Sequence, residues 1–496
     1  MLSLAPENSP EIISLKSSSL ACITSWINYG LSLEDLSAIL PVIMQHMADP
    51  VLFEDVIELL IALIVSPANA SMKETMSSLL PLLENLKPKL DEAIQEEDEL
   101  AAKPYARLIT SFADAFPSIL IRKFYEPTTQ TFFGMLLSIS NFPGIFAAEQ
   151  DISELPLNSW YLIQDVIYHE QVGVFLEDNE KKLQQIKQDS SGIFIQLLEV
   201  CLAKGRYPVE SEYLSWTLDI RNRFTNYRCD LGDTCIYIYQ IIGEVSIELL
   251  VDKFLSFFEC HQSNPALVAW QDLEIIVFFF KFLGESISST EDKHLPRLIS
   301  ILTRINDPSM FPKKFMESCL RTIGSLGDWL QHHSEVLSVA VNFVLPFLSH
   351  AELSAPACSA FKDLCDIGGA QLIKHSVEPV IDGFWSMHDS INLSDRMKIM
   401  EALTMLIVHE SDPARSNYLF SKLLDPIFTI IGGEEKNEAL VEMCLHHLIA
   451  LSTHLLEIDG RPVYPDLMKR MFPMVQWIYS QALSNHNLVQ ARRKLL

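Results

Sequence analysis

The chain has 496 residues, 49% of them hydrophobic, with 64 acidic against 37 basic side chains for a formal charge of −27. That field repels polyanions, so it disfavours nucleic acid and favours basic partners and solubility. A mean hydropathy of +0.18 asks for helices buried around most of their circumference, not for a membrane. A span needs about 20 nearly uncharged residues, whereas the apolar runs at 56–65 and 273–283 are short and carry Glu58, and Glu274 with Lys281.

Residues 1–10 show neither a basic n-region nor an apolar h-region, so no secretory signal is expected. Residues 17–28 read as the second helix of a pair whose first helix is absent. In 33–47 the apolar residues Leu33, Leu36, Ile39, Leu40, Ile43, Met44 and Met47 follow a helical spacing. Pro41 falls inside that stretch, where a missing N–H predicts a kink. Ala48-Asp49-Pro50 makes a turn, with Asp49 suited to satisfying backbone donors. A second apolar helix follows over 53–65, with Val56, Ile57, Leu59, Leu60, Ala62, Leu63 and Ile64. Kinked helix, Asp-Pro turn and second apolar helix form a HEAT-type pair.

The acidic stretch 91–99 holds six carboxylates and no base, and it reads as a loop with 141–156 and the charged 177–192. The aromatic run Trp270, Phe278, Phe279, Phe280 and Phe282 has the spacing of core between repeats, or of a groove for apolar peptides. A second pair is legible over 295–326, with Asn306-Asp307-Pro308 as its turn and Cys319, Leu320, Ile323, Gly324 and Leu326 on its second helix. Weaker copies cover 343–365 and 423–448. Gly368-Gly369 and Gly432-Gly433 fit turns between helices. The last ten residues, 487–496, look like a second helix just starting.

One phrase ties these pieces together: an apolar residue, a proline, then residues that are usually apolar. It occurs at Leu40-Pro41, Leu80-Pro81, Leu295-Pro296 and Leu345-Pro346, and again at Pro379, Pro426 and Pro473. From Pro296 onward the prolines are 50, 33, 47 and 47 residues apart. Repetition near that length is the mark of HEAT or armadillo arrays. The expected fold is therefore all-α, a single α-solenoid of HEAT-type helix pairs over residues 1–496. Solenoids need polar capping repeats; neither end supplies one, so the chain is expected to be an internal piece of a longer solenoid.

Little in the chain points to chemistry. Of the cluster Cys444, His446, His447 and His454, the residues Cys444, His447 and His454 could share a helix face, but zinc needs four ligands and usually a second paired segment, and none stands out. Cys260 and His261 are adjacent, hence about 100° apart on a helix, and do not form a thiolate–imidazole pair. Phosphate loops, nucleophile elbows and His-Glu-x-x-His motifs are missing. Neither enzyme activity, metal nor cofactor is expected. The nine cysteines are odd in number and irregularly placed, which fits reduced thiols of the cytosol or nucleus. The candidate binding residues for protein cargo are Glu96, Glu97, Asp98 and Glu99 in the acidic stretch, and the basic cluster Arg492, Arg493 and Lys494.

The stretch from Ala269 to Phe278, with Trp270, Glu274 and Phe278 four apart, resembles the middle repeats of the karyopherin-β (importin-β) superfamily. The branch it is most similar to is that of transportin-SR and importin 13. CITSWINYG at 22–30, Leu214-Ser215-Trp216-Thr217-Leu218, ESCLRTIGSLGD at 317–328, and 354–365 followed by Gly368 agree with it. The resemblance spans nearly the whole chain, as the middle of a receptor about twice as long. It implies a shuttling nuclear transport receptor that binds protein cargo, passes FG-repeat nucleoporins at the pore and responds to Ran-GTP. It also implies that the main Ran-GTP surface lies in N-terminal repeats absent here, leaving that contact weak or missing. Arg492, Arg493 and Lys494 fall near the start of the helix that in transportin-SR contacts Arg-Ser domains. The charge favours basic cargo, held through salt-sensitive contacts. A non-transport HEAT scaffold or adaptor subunit is the alternative, since one solenoid serves many functions.

Overall fold

The computed structural model describes residues 9–70, 73–168, 179–305, 311–373 and 377–432, with positions 446, 447, 469, 472 and 476. They are helical apart from short connections, with one isolated bridge between Phe146 and Gln150. The chain divides into two compact units, Met1–Leu250 and Val251–Leu496. No helix among the described residues is long and apolar enough to cross a membrane.

In the first unit one layer is built from α1 (Pro10–Tyr29), α2 (Phe53–Val65), α3 (Glu99–Ala115), α4 (Leu157–Tyr168) and α5 (Leu218–Ile242). Each packs on the next. Local sequence sets their ends. Ser9 accepts from the Ile12 N–H and Pro10 occupies the first turn of α1, which stops at Gly30 with φ +128°; glycine enters that region without steric cost. The six buried apolar side chains of α2, Val56, Ile57, Leu59, Leu60, Leu63 and Ile64, contribute roughly 1.5–3 kcal/mol each as an upper bound. Thr217 caps α5 through the Ile220 N–H at 3.3 Å. A second layer includes the helices Pro127–Ser140 and Ser191–Gly205, which touch each other, and Ser191–Gly205 lies against α5.

The second unit repeats the plan with α6 (Trp270–Leu283), α7 (Lys313–Ser325), α8 (Ser354–Leu372) and α9 (Leu393–Val408) stacked in order. The helices Leu295–Leu302, Ser334–Val344 and Val377–Met387 lie in its other layer. The α-solenoid of HEAT-type pairs read from the prolines is the fold observed.

The repeat length reappears in the side-chain bonds that bridge stacked helices. Thr322 donates to the Val277 carbonyl (2.7 Å) across 45 residues and Ser318 to Glu274 (2.6 Å) across 44. Lys398 donates to Ser359 (3.0 Å) across 39, Gln371 to the Gln331 carbonyl (2.7 Å) across 40, and Arg107 to Glu58 (2.5 Å) across 49. One period of sequence is therefore one step of the stack.

Several local expectations need correction. Residues 33–47 do not form one kinked helix. They form Leu33–Leu36 and Leu40–Gln45, with Pro41 in the first turn of the latter. The N–H groups of Ile39 and Val42 bond three residues back, to Leu36 and Ile39, so a tight turn absorbs the missing donor. Leu80-Pro81 and Leu295-Pro296 likewise open helices, while Pro426 stands inside Pro413–Gly432. Asp49 accepts from the Val51 N–H (3.0 Å), a local turn ahead of α2. Residues 91–95 are helical, in Lys87–Gln95, and most of 177–192 is too, in Asn179–Asp189 and the start of Ser191–Gly205. Residues 141–156 are a connection as expected. Gly368 and Gly369 are not a turn: both lie within α8, because a Cβ would strike Leu337 at Gly368 (2.7 Å) and His409 at Gly369. The turn 306–308 and residues 433–445 fall outside the described residues.

Candidate macromolecular interface

The acidic stretch resolves into carboxylates with different duties. Asp91 pairs with Lys87, and Glu92 with Lys89 at 2.7 Å, one helical turn upstream. Asp98 caps α3 by accepting from the Ala101 N–H at 3.0 Å. Glu99 accepts from the Asp151 N–H (3.1 Å) and lies 3.7 Å from Lys103, fastening α3 to the 141–156 connection. Glu96 and Glu97 stand exposed at the turn, Glu97 with φ +56°. Of the four candidates, two therefore hold the fold and two face solvent. Arg492, Arg493 and Lys494 lie outside the described residues.

The connection that Glu99 holds is itself clamped by α5 and its neighbours. Phe146 stacks on Tyr227 (4.3 Å between centroids), Tyr227 Oη bonds Ser153 (3.0 Å), and Arg223 pairs with Asp151 (2.6 Å). Lys204 donates to the Phe142 and Gly144 carbonyls, the latter at 3.0 Å. Burial pulls its ammonium down to about 8, against a raising effect of Glu149; the two carbonyls favour the charged form. Around them Tyr207, Tyr213, Trp216 and Phe224 form a ring cluster, with the Arg228 guanidinium 3.8 Å over Tyr207.

In the second unit a groove of about 360 Å³ opens across α6, α7 and α8. Its floor is low because Gly324 and Ala360 face each other: a Cβ on Gly324 would lie 2.9 Å from the Ala360 Cα. Its walls carry Glu285, Asp328, Asp363 and Asp366 against Lys281 and Arg321. Composition and motif reading missed this groove. The one signal was the stretch 317–328, which contains Arg321, Gly324 and Asp328.

The chemical candidates do not assemble. Cys260 is exposed, and His261 bonds the Val268 carbonyl (2.7 Å) and stacks on Phe311. Of the cysteine–histidine cluster, Cys444 and His454 lie outside the described residues; His447 is buried beside Phe384, Trp385 and His388. Among the described residues no group of three potential ligands could hold a metal. Cys201, Cys235, Cys319 and Cys365 are buried, which raises their pKa and keeps them as thiols. In the aromatic run Phe279 and Phe280 are fully buried, so its inner edge is core.

A family model described as the importin 13 repeat matches residues 206–245, the segment around α5. Importin-13 of Rattus norvegicus is 25% identical over 503 aligned positions, covering 95% of this chain and 50% of that protein. Importin-13 of Bos taurus is 26% identical over 70% of this chain and 35% of its own length. The mRNA transport regulator MTR10 of Saccharomyces cerevisiae is 21% identical over 95% of this chain and 48% of its own. The chain thus spans half or less of the length of these relatives. A solved structure titled "Importin13 cytosolic state" superposes with a TM-score of 0.80 at 19% identity, over 98% of this chain and 58% of that one. Relatives along nearly the whole length and the repeat model at α5 make this chain similar to the importin 13 branch of the karyopherin-β superfamily, and it shares the fold of the solved importin-13 structure.

Proposed function

We propose that this chain acts as a nuclear transport receptor of the importin type. It holds protein cargo, shuttles with it between cytoplasm and nucleus past FG-repeat nucleoporins, and lets go in response to Ran-GTP. The observation that carries the reading is the relationship to importin-13 along 95% of the chain. Two further features support it. Each unit presents a continuous layer of stacked helices with no catalytic constellation among the described residues, which suits holding and not chemistry. The charge of −27 suits basic cargo, and Glu96 and Glu97 are the part of the acidic turn open to it. The chain catalyses no reaction and needs no cofactor in this role.

The test is binding of purified basic cargo candidates, with and without GTP-locked Ran, followed by import in permeabilised cells. Release by Ran-GTP and accumulation in nuclei are expected. Cargo held equally in both conditions, with no uptake by nuclei, overturns the reading in favour of a scaffold.

A further inference from the structure

Between α6 and the helix Leu295–Leu302 the chain carries Ser288-Ser289-Thr290-Glu291-Asp292, adjacent hydroxyls followed by carboxylates. The Ser288 hydroxyl lies 2.7 Å from that of Thr290 and accepts from the Thr290 N–H (3.2 Å). The Glu291 N–H closes the turn on the Ser288 carbonyl (3.0 Å). Glu291 turns inward and is 4% exposed. Its carboxylate accepts from the N–H groups of Lys293 (3.0 Å), His294 (2.6 Å) and Leu295 (2.8 Å), and its carbonyl from the Trp329 indole (2.6 Å). Asp292 is exposed. Ser289 stands exposed at the tip of the turn, and its hydroxyl makes no hydrogen bond among the described residues.

The neighbours of Ser289 thus hold the turn and leave its own hydroxyl idle. Three residues on stands the open carboxylate of Asp292, the spacing that acid-directed protein kinases read with basic side chains. Ser288 has Glu291 in that place, buried and already bonded, and Thr290 has Lys293, of the wrong sign. Elsewhere among the described residues the same spacing falls on hydroxyls less able to react. Ser32 is buried and bonded to its own Asp35 (2.6 Å). Ser111, Ser256 and Ser386 lie within helices, where the chain is not free to extend along a kinase cleft. Ser325 ends α7 and donates to the Thr322 carbonyl (3.0 Å). Ser349 sits in a run of tight turns held by backbone bonds from Leu348, His350 and Ser354.

We propose that Ser289 is a phosphorylation site for an acid-directed serine/threonine kinase, a surface mark that leaves the turn intact. In that reaction the Ser289 Oγ bonds to the γ-phosphorus of ATP as the bond to the bridging oxygen breaks. ADP leaves with the electron pair, and the hydroxyl proton passes to the base of the kinase. The product adds a charge of about −1.5 to −2 at neutral pH, beside the exposed Asp292. Ser289 contributes none of the side-chain bonds that form the turn, so the phosphate loosens neither Glu291 nor the helix that Glu291 starts. Neither cargo nor Ran-GTP enters this chemistry, and the site stands apart from the receptor reading.

The test incubates the full chain with ATP and a recombinant acid-directed kinase of the casein-kinase type, and locates phosphate by tandem mass spectrometry. Phosphate is expected at Ser289. Incorporation is expected to fall about tenfold in Ser289→Ala and by a similar factor in Asp292→Asn, while Asp292→Glu retains it. Ser349→Ala is the control for the other exposed turn and is expected to change nothing. The phosphorylated chain is expected to keep the urea midpoint of the unmodified one. Absence of phosphate at Ser289, principal labelling at another residue, or a rate indifferent to Asp292→Asn overturns the site. A midpoint lowered by the phosphate overturns its reading as a mark that leaves the turn intact.

Discussion

Two glycine-to-alanine substitutions in the second unit are expected to move stability in opposite directions. Gly284 closes α6 in a right-handed helical conformation (φ −49°, ψ −45°), so alanine meets no backbone obstacle there. Its added Cβ, however, would sit 2.7 Å from the Ser325 carbonyl carbon and closer still to the oxygen, where ordinary contact begins at 3.4 Å. That neighbour is backbone and cannot rotate away. The ends of α6 and α7 must separate by about 0.7 Å or more, which strains the Thr322–Val277 and Ser318–Glu274 bonds. Overpacking of this kind costs about 1–3 kcal/mol, and the helical preference of alanine returns at most about 1 kcal/mol. Gly383, within the helix Val377–Met387, has nothing within 4 Å of a new Cβ. There alanine is expected to stabilise by about 0.5–1 kcal/mol. Urea unfolding followed by helical circular dichroism reads both, as shifts of midpoint in opposite senses. A Gly284→Ala chain as stable as wild type would refute the argument that helix contact dictates this glycine.

Other outcomes follow from buried polar groups and thiols. Ser318→Ala removes a donor from Glu274, which is 1% exposed, and is expected to cost about 1–3 kcal/mol; Thr322→Val, which frees only a carbonyl already in a helix, should cost less. The same urea titration ranks the pair. Lys204 is held near 8 when folded and returns to the ordinary lysine value when unfolded, so the unfolded chain binds more protons between these values. Stability therefore rises with pH from about 8 towards 10 through this group, and Lys204→Met should abolish that increment; an identical pH profile in the variant would contradict it. Iodoacetamide at neutral pH, read by mass spectrometry, should label exposed Cys22 and Cys260 well before buried Cys201, Cys235, Cys319 and Cys365.

Helix pairs were legible in the sequence wherever burial alone determined them. The span 53–65 appears in the structure with the expected face buried, because an apolar stripe along a 13-residue helix has one way to hide. The helix in the stretch 91–99 is not legible from its own acidic composition, because the bases that offset it come just before. Lys87 and Lys89 stand one turn upstream of Asp91 and Glu92, and Pro88 occupies the first turn of that helix, so Lys87–Gln95 is helical despite the carboxylates. Gly368 and Gly369 are the opposite case: glycine suggests freedom of the chain, and here it records the nearness of Leu337 and His409. The groove could not be read at all. Gly324, Ala360 and Asp363 become neighbours only once successive repeats stack, and nothing local distinguishes them from ordinary helical residues.

The bridging bonds that span 39 to 49 residues also define what changes in chain length the molecule can absorb. Removing one whole period would keep the apolar faces of the remaining helices in phase, so the stack could close over the gap with the loss of the bonds at that one step. Adding a single residue inside α7 ahead of Ser318 would turn Ser318 and Thr322 by about 100°, away from Glu274 and Val277, with the apolar face turning too. In such a chain the natural unit of insertion and loss is the repeat, and the single residue is the more damaging edit.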